Sequence, residues 1–250
     1  METQNMAELQ PNRMAFRHGV ILKREMIAQN MLLLRIRSED CREQAWQPGS
    51  HIGVFPIEHD KLHRHYTFWQ IDPEAGEFDL LILLHHGDGP GVAWAQAAQV
   101  GDEITYRGPK STYTIDPEAP YYLFAAEETG AVAVQAQIGL LPSEMRIFGA
   151  LESDFPEGEI PTPAGVRPLP WVHRRGEPIS ETGALVQAIR KLDLPEEPGK
   201  AYLAGEAGQC LAIRSYLINE RGWPRENVHV QPFWIQGKMS KAEVRELLER

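Results

Sequence analysis

The rhythm of apolar and polar positions changes near residue 118. Before it, aliphatic and aromatic residues gather in short runs at 17–24, 30–37, 51–57, 64–71, 77–85 and 103–107. Gln47-Pro48-Gly49, Asp72-Pro73 and Gly101-Asp102 interrupt them with turn-forming residues. Several short strands at this spacing predict a closed or nearly closed antiparallel barrel of Greek-key type. One alanine-rich segment, Val92 to Ala98, predicts a helix within this half, and Pro90 is tolerated at its start.

After Asp116-Pro117 strands and helices alternate. Tyr121–Ala126, Met145–Leu151, Trp171–His173, Ala201–Ala204 and Asn227–Trp234 read as strands. Gly130–Leu141, Glu181–Leu192 and Cys210–Arg221 read as helices, the last with Cys210, Ile213 and Leu217 on one face. This predicts a three-layer α/β domain with a mostly parallel sheet. The chain is thus an α+β two-domain protein, residues 1–118 forming the barrel and 119–250 the α/β unit. The stretch 153–170 holds five prolines and reads as a loop. Ser240, with Glu243 three residues on, marks a capping box that opens a C-terminal helix over Ser240–Arg250.

Composition narrows the classes. Hydrophobic residues are 42% and charged residues 24%, the balance of a globular protein. No run approaches the roughly 18 apolar residues of a membrane helix. Met1 to Asn12 is polar and does not read as a secretory signal. The net charge of −10 argues against a nucleic-acid partner, so any anion site must be local. Cys41 and Cys210 form no CxxC; they read as small buried hydrophobes, and a cytoplasmic location fits.

Arg64-His65-Tyr66-Thr67 carries the first chemistry. On a barrel strand Arg64 can pair a diphosphate through its guanidinium fork. Tyr66, two residues on and on the same side, can lie against an isoalloxazine ring, and Thr67 can hydrogen-bond near its reactive nitrogen. The plainer alternative is a solvated strand with a packing tyrosine. The second cluster is His85-His86-Gly87-Asp88-Gly89-Pro90-Gly91, which ends a strand and opens a helix. Its glycines allow close phosphate approach, and a helix N-terminus favours negative charge.

Together these residues resemble the siderophore-interacting proteins, flavin-dependent ferric reductases of the ferredoxin-reductase superfamily. The resemblance adds Trp94-Ala95, Gly101-Asp102, Gly108-Pro109-Lys110, Glu127-Glu128-Thr129-Gly130, Gly205-Glu206-Ala207, Glu220-Arg221-Gly222 and Phe233-Trp234, and covers nearly the whole chain. It implies that Arg64, Tyr66 and Thr67 hold FAD, the latter two at the reacting ring. His85, Gly89 and Pro90 would surround its diphosphate and adenosine half, with Gly108, Ser111 and Thr112 contributing. The implied activity is reduction of ferric iron in a siderophore, with electrons from NADH, NADPH or ferredoxin. No protein-bound metal is required, and the scattered histidines read as surface or strand residues. Two features depart from the family. Ile52 stands where a basic residue is expected, and Ala131–Gln137 carries no arginine. Lys61 and Lys238, or Lys110 and Lys241, are the cations left to meet an anionic chelate, if they are more than surface lysines.

Thr129-Gly130 and Gly205-Glu206 sit at strand-to-helix turns, where open α/β sheets take up ligands, and suit a nicotinamide donor. No G-x-G-x-x-G occurs. Glu152 would favour a free ribose over a 2′-phosphate, Arg174 and Arg175 the reverse; the plainer reading of Glu152 is a polar loop residue. The reading is therefore an FAD-dependent ferric-siderophore reductase. Its alternatives are a flavin reductase with another acceptor and a carrier without turnover. A hydrolase is disfavoured, since no G-x-S-x-G elbow occurs.

Overall fold

The computed structural model of the protein describes residues 15–43, 46–56, 63–85, 89–110, 113–237 and 241–249. Six strands close a barrel: β1 (Arg17–Ala28), β2 (Met31–Arg37), β3 (His51–Val54), β4 (Arg64–Asp72), β5 (Glu77–Leu83) and β6 (Glu103–Lys110). They run β1-β2-β5-β4-β3-β6 around it, each neighbouring pair antiparallel. A short helix α1 (Asp40–Glu43) follows β2, and α2 (Pro90–Ala97) joins β5 to β6. The expected strand runs are the strands of this barrel, although β5 stops at Leu83, before His85.

Alternation decides which side of each strand meets which partner. On β2, Leu32, Leu34 and Ile36 point into the barrel with Phe68, Phe78 and Tyr106. Met31 and Leu33 point outward with Trp69 and Leu81 and pack on the second domain. Burial on both faces explains the unbroken apolar run Met31–Leu34. Trp46 lies nearly parallel to Phe68 at 5.3 Å between centroids.

The second unit is a parallel sheet ordered β11-β10-β7-β8-β9. Its strands are β7 (Tyr122–Glu127), β8 (Ile147–Ser153), β9 (Trp171–His173), β10 (Lys200–Glu206) and β11 (Val228–Trp234). Tyr122, Phe124 and Ala126 face α3 (Glu128–Gly139) and the barrel. Tyr121, Leu123 and Ala125 face α4 (Ala184–Arg190) and α5 (Ala207–Ser215), which make the third layer. A π-helical segment, Tyr216–Glu220, continues α5, and α6 (Lys241–Glu249) closes the chain. Ser240, the expected cap of α6, lies outside the described residues.

Helix starts are where expectation and structure part. Helices α3 and α5 begin two and three residues earlier than their periodicity suggests, because the side chains of Glu127 and Glu206 cap them. Helix α4 begins at Ala184 rather than 181, after Gly183. Starting from β7, the chain winds outward through β8 and β9, then crosses to β10 and β11. The winding therefore reverses between the carboxyl ends of β7 and β10, where such sheets bind ligands. The stretch 153–170 is irregular apart from one 3-10 turn, Pro156–Gly158. Cys41 and Cys210 are free and buried, as small apolar residues. Among the described residues no helix is long and apolar enough to cross a membrane.

Candidate functional site

Strand β4 shows different residues to its two sides. Its register with β3 pairs Arg64 with Val54, His65 with Gly53, Tyr66 with Ile52 and Thr67 with His51. Residues directly opposite share a face. Arg64 and Tyr66 therefore stand on the core side, at the barrel rim, and His65 and Thr67 on the outer side. Thr67 is buried, two residues before Trp69, whose Nε1 donates to Gln135 Oε1 on α3 at 3.1 Å. The outer face of β4 at Thr67 is thus the face turned toward the second domain.

Arg64 and Tyr66 meet the start of α2. A methyl group added at Gly91 would come within 2.7 Å of the Tyr66 hydroxyl and 2.9 Å of Arg64 Cγ, so the helix can approach only with glycine there. Gly89 precedes the helix in an extended conformation, no side chain caps it, and Pro90 occupies its first turn. Uncapped N–H groups and the helix dipole meet the stem of Arg64 there, while the Arg64 Nη1 donates to the His63 carbonyl at 3.1 Å, leaving its other guanidinium N–H groups to meet an anion such as a diphosphate. Tyr66 lies 6.0 Å from Trp94 between ring centroids. Burial pushes its phenol up to about 12, against the opposing charge of Arg64. It stays protonated at neutral pH and can donate a hydrogen bond.

The structure thus gathers Arg64, Tyr66, Gly89 and Pro90 around the α2 N-terminus. His85 is exposed beside it, its Cε1 4.0 Å from where Gly89 would carry a Cβ. Gly108 is buried in β6 at φ +114°, its carbonyl accepting from Arg17 Nε at 2.9 Å. Ser111, Thr112, Lys61 and Lys238 lie outside the described residues.

Thr129, Gly130, Gly205 and Glu206 meet at the switch point, and each has a partner within the chain. Thr129 donates its N–H to Glu127 at 2.9 Å and its hydroxyl to the same carboxylate. A Cβ on Gly130 would fall 2.5 Å from the Ala204 carbonyl oxygen, so this glycine lets α3 lie against β10. Gly205, at φ +119°, leaves room for the Glu127 carboxylate. Glu206 accepts from Gln209 N at 2.8 Å and from Gln236 N at 3.0 Å. Trp234 Nε1 donates to Glu127 at 3.1 Å, tying the end of β11 across the same edge. Burial, with the charge of Glu128 adding to it, pushes Glu127 up to about 7.

Three expectations are corrected here. Glu152 is no loop residue: it lies inside β8, fully buried, and accepts from Leu185 N, Gln209 Nε2 and Arg174. Arg174 pairs with both Glu128 and Glu152, so its guanidinium is committed within the protein. Position 52 faces the barrel core, where an ammonium group would be stranded in hydrocarbon; Gly53 takes the outward place, with His63 Cδ2 only 2.9 Å from where its Cβ would stand. The uncharged run of α3 has a matching cause, since Ala131 through Ile138 are all buried at the domain seam. Among the described residues no three His, Cys, Asp or Glu side chains are placed to hold a metal ion.

A family model described as the siderophore-interacting FAD-binding domain matches residues 24–113. A second, described as the siderophore-interacting protein, matches residues 119–237. Between them they take in the barrel and the parallel sheet. The chain belongs to the siderophore-interacting protein family. The ferric vibriobactin reductase ViuB of Vibrio cholerae is 27% identical over 88% of this chain and 90% of that protein. The siderophore-interacting protein of Acinetobacter baumannii superposes with a TM-score of 0.79 over 93% of this chain and 94% of that one, at 18% identity. Phthalate dioxygenase reductase, described as transferring electrons from pyridine nucleotides to [2Fe-2S], superposes at 0.68 with 18% identity, over 90% of this chain and 70% of that one. The fold is that of the ferredoxin reductases, with an FAD-binding barrel, and it supports an oxidoreductase. Glu127 and Trp234 are the residues that sequence reasoning left without a role. A carboxylate immediately before a helix was the one local signal for Glu127.

Proposed function

We propose that the protein is an FAD-dependent reductase of ferric siderophores. In this reading residues 1–118 hold FAD and residues 119–250 meet the electron donor, NADH, NADPH or ferredoxin, in the cytoplasm. The observation that carries it is the convergence of Arg64 and Tyr66 on the uncapped N-terminus of α2, with Thr67 around the strand edge. These residues fit the cofactor: a cation and free N–H groups suit a diphosphate, and Gly91 lets the start of α2 lie against Tyr66 and the stem of Arg64. Held by Arg64, Tyr66 and Thr67, FAD would supply the electron-transfer chemistry between the donor and ferric iron.

The chain's own residues then place and insulate that chemistry. Arg64 and α2 fix the diphosphate. The Tyr66 phenol, protonated at neutral pH, borders the ring, and Thr67 offers its hydroxyl on the side of the second domain. Trp69, Gln135 and the buried face of α3 keep water from that seam. The substrate side rests on ligand chemistry. Ferric iron is hard and prefers siderophore oxygen donors, and the ferrous ion is held less tightly, so reduction releases it without breaking the chelator.

Anaerobic reduction of the flavin, followed by mixing with ferric chelates, tests the assignment. Reoxidation by a ferric chelate faster than by dioxygen is the expected result. Reoxidation no faster than by dioxygen, for every chelate tried, would favour a flavin reductase with another acceptor.

A further inference from the structure

Glu127 and Thr129 share a hydrogen bond whose direction depends on one proton. Glu127 is 1% exposed at the end of β7. Its carboxylate accepts from Thr129 N at 2.9 Å, from Trp234 Nε1 at 3.1 Å and, at Oε1, from the Thr129 hydroxyl. Among the described residues no arginine, lysine or histidine pairs with it. The ionisable groups around it are Glu128 on α3, Glu206 at the end of β10 and the buried Cys210 thiol on α5. Glu128 is itself paired with Arg174, which also serves Glu152. The edge of the sheet that faces a donor is therefore acidic, and α3 and α5 are both capped by the chain's own carboxylates.

An ionised carboxylate can only accept hydrogen bonds. While Glu127 is ionised, the Thr129 hydroxyl turns its hydrogen inward and offers a ligand nothing but lone pairs. An arriving phosphate would meet those lone pairs and a buried negative charge. A proton on Glu127 Oε1 reverses the bond. The acid O–H then donates to Thr129 Oγ1, and the threonine hydrogen is free to turn outward. Thr129 is half-buried in the first turn of α3, at the carboxyl end of β7, where such sheets take up ligands. The proton is within reach at neutral pH, because burial and the Glu128 charge hold Glu127 at about 7.

We propose that Glu127 and Thr129 admit the phosphate of a nicotinamide donor together with one proton, which Glu127 takes from solvent. Protonation removes the buried charge that repels the phosphate and frees the Thr129 hydroxyl to donate to it. Anion binding in turn raises the affinity of Glu127 for that proton. The donor is therefore held more tightly below neutral pH and more weakly above it. This inference rests on the reading of residues 119–250 as the donor domain and adds how an acidic edge accepts a polyanion.

The test titrates the oxidised, FAD-loaded full chain with NAD+ and with NADP+ by calorimetry. Between about pH 6 and about pH 8 the protonated fraction of a group at about 7 falls from about nine tenths to about one tenth, so the parent's Kd is expected to rise about tenfold. Titrations at about pH 7.5 in buffers of different ionisation enthalpy are expected to show more than about half a proton taken up per nucleotide. Glu127→Gln gives Thr129 a permanent amide donor, at the expense of the Trp234 contact. It is expected to bind at about pH 8 within about twofold of the parent at about pH 6, with no proton uptake. Thr129→Val keeps the shape without the hydroxyl and is expected to bind weakly at both pH values. A parent affinity indifferent to pH, or nucleotide binding without proton uptake, overturns the proposal. So does a Glu127→Gln protein that binds poorly at both pH values, which would leave the carboxylate a purely structural cap. If neither nucleotide binds the parent at either pH, the nicotinamide reading of the donor falls, and the proton link with it.

Discussion

Arg174 offers a direct test of how the carboxyl edge of the sheet is held together. Its side chain is 13% exposed and spans two acids. It donates to Glu128 at 2.7 and 2.8 Å and to Glu152 at 3.2 Å. Arg174→Met keeps most of the stem and removes the charge, leaving two carboxylates in a water-poor pocket without a cation. Deleting one partner of a buried pair costs about 3–5 kcal/mol. For a protein of this size that lowers the melting temperature by on the order of 10 °C. Adding Glu128→Gln removes one of the two stranded charges and restores part of the loss. Equilibrium urea unfolding, followed by probes in each domain, measures these differences. A variant within about 1 kcal/mol of the parent at neutral pH would refute the argument.

Three further outcomes are expected. Arg64→Ala removes a charge-assisted contact worth about 1.5–3 kcal/mol and weakens FAD binding by roughly tenfold to a hundredfold in fluorescence titration; parent-like affinity would show that the diphosphate lies elsewhere. Gly130→Ala forces α3 away from the Ala204 carbonyl and costs about 1–3 kcal/mol by urea unfolding, whereas a neutral substitution would mean that α3 can shift freely. Glu127 is raised in the folded protein from 4.5 to about 7, so its contribution to stability is fully present below 4.5 and is lost as pH rises through 7. Melting temperature against pH should therefore decline across that window in the parent and less steeply in Glu127→Gln; parallel curves would remove Glu127 from the account.

The proposed flavin seat is legible in the sequence because it is local. Arg64 and Tyr66 are two residues apart on one strand, and Gly89-Pro90 marks the helix start they face. The barrel strands are legible for a similar reason, since turn residues bound each run. What the sequence conceals are partnerships between distant elements. Glu152 reads as a loop acid because its partners Arg174, Leu185 and Gln209 stand 22, 33 and 57 residues away. Gly130 and Gly205 look like ligand-approach glycines, yet Ala204 and the Glu127 carboxylate already account for both. Position 52 shows how little separates a right face from a wrong one. Side chains alternate along a strand, so moving an expected cation by one residue takes it from the outer surface to the barrel core. At Gly53, one residue on, the outward place is bordered by His63 and His65 from the neighbouring strand.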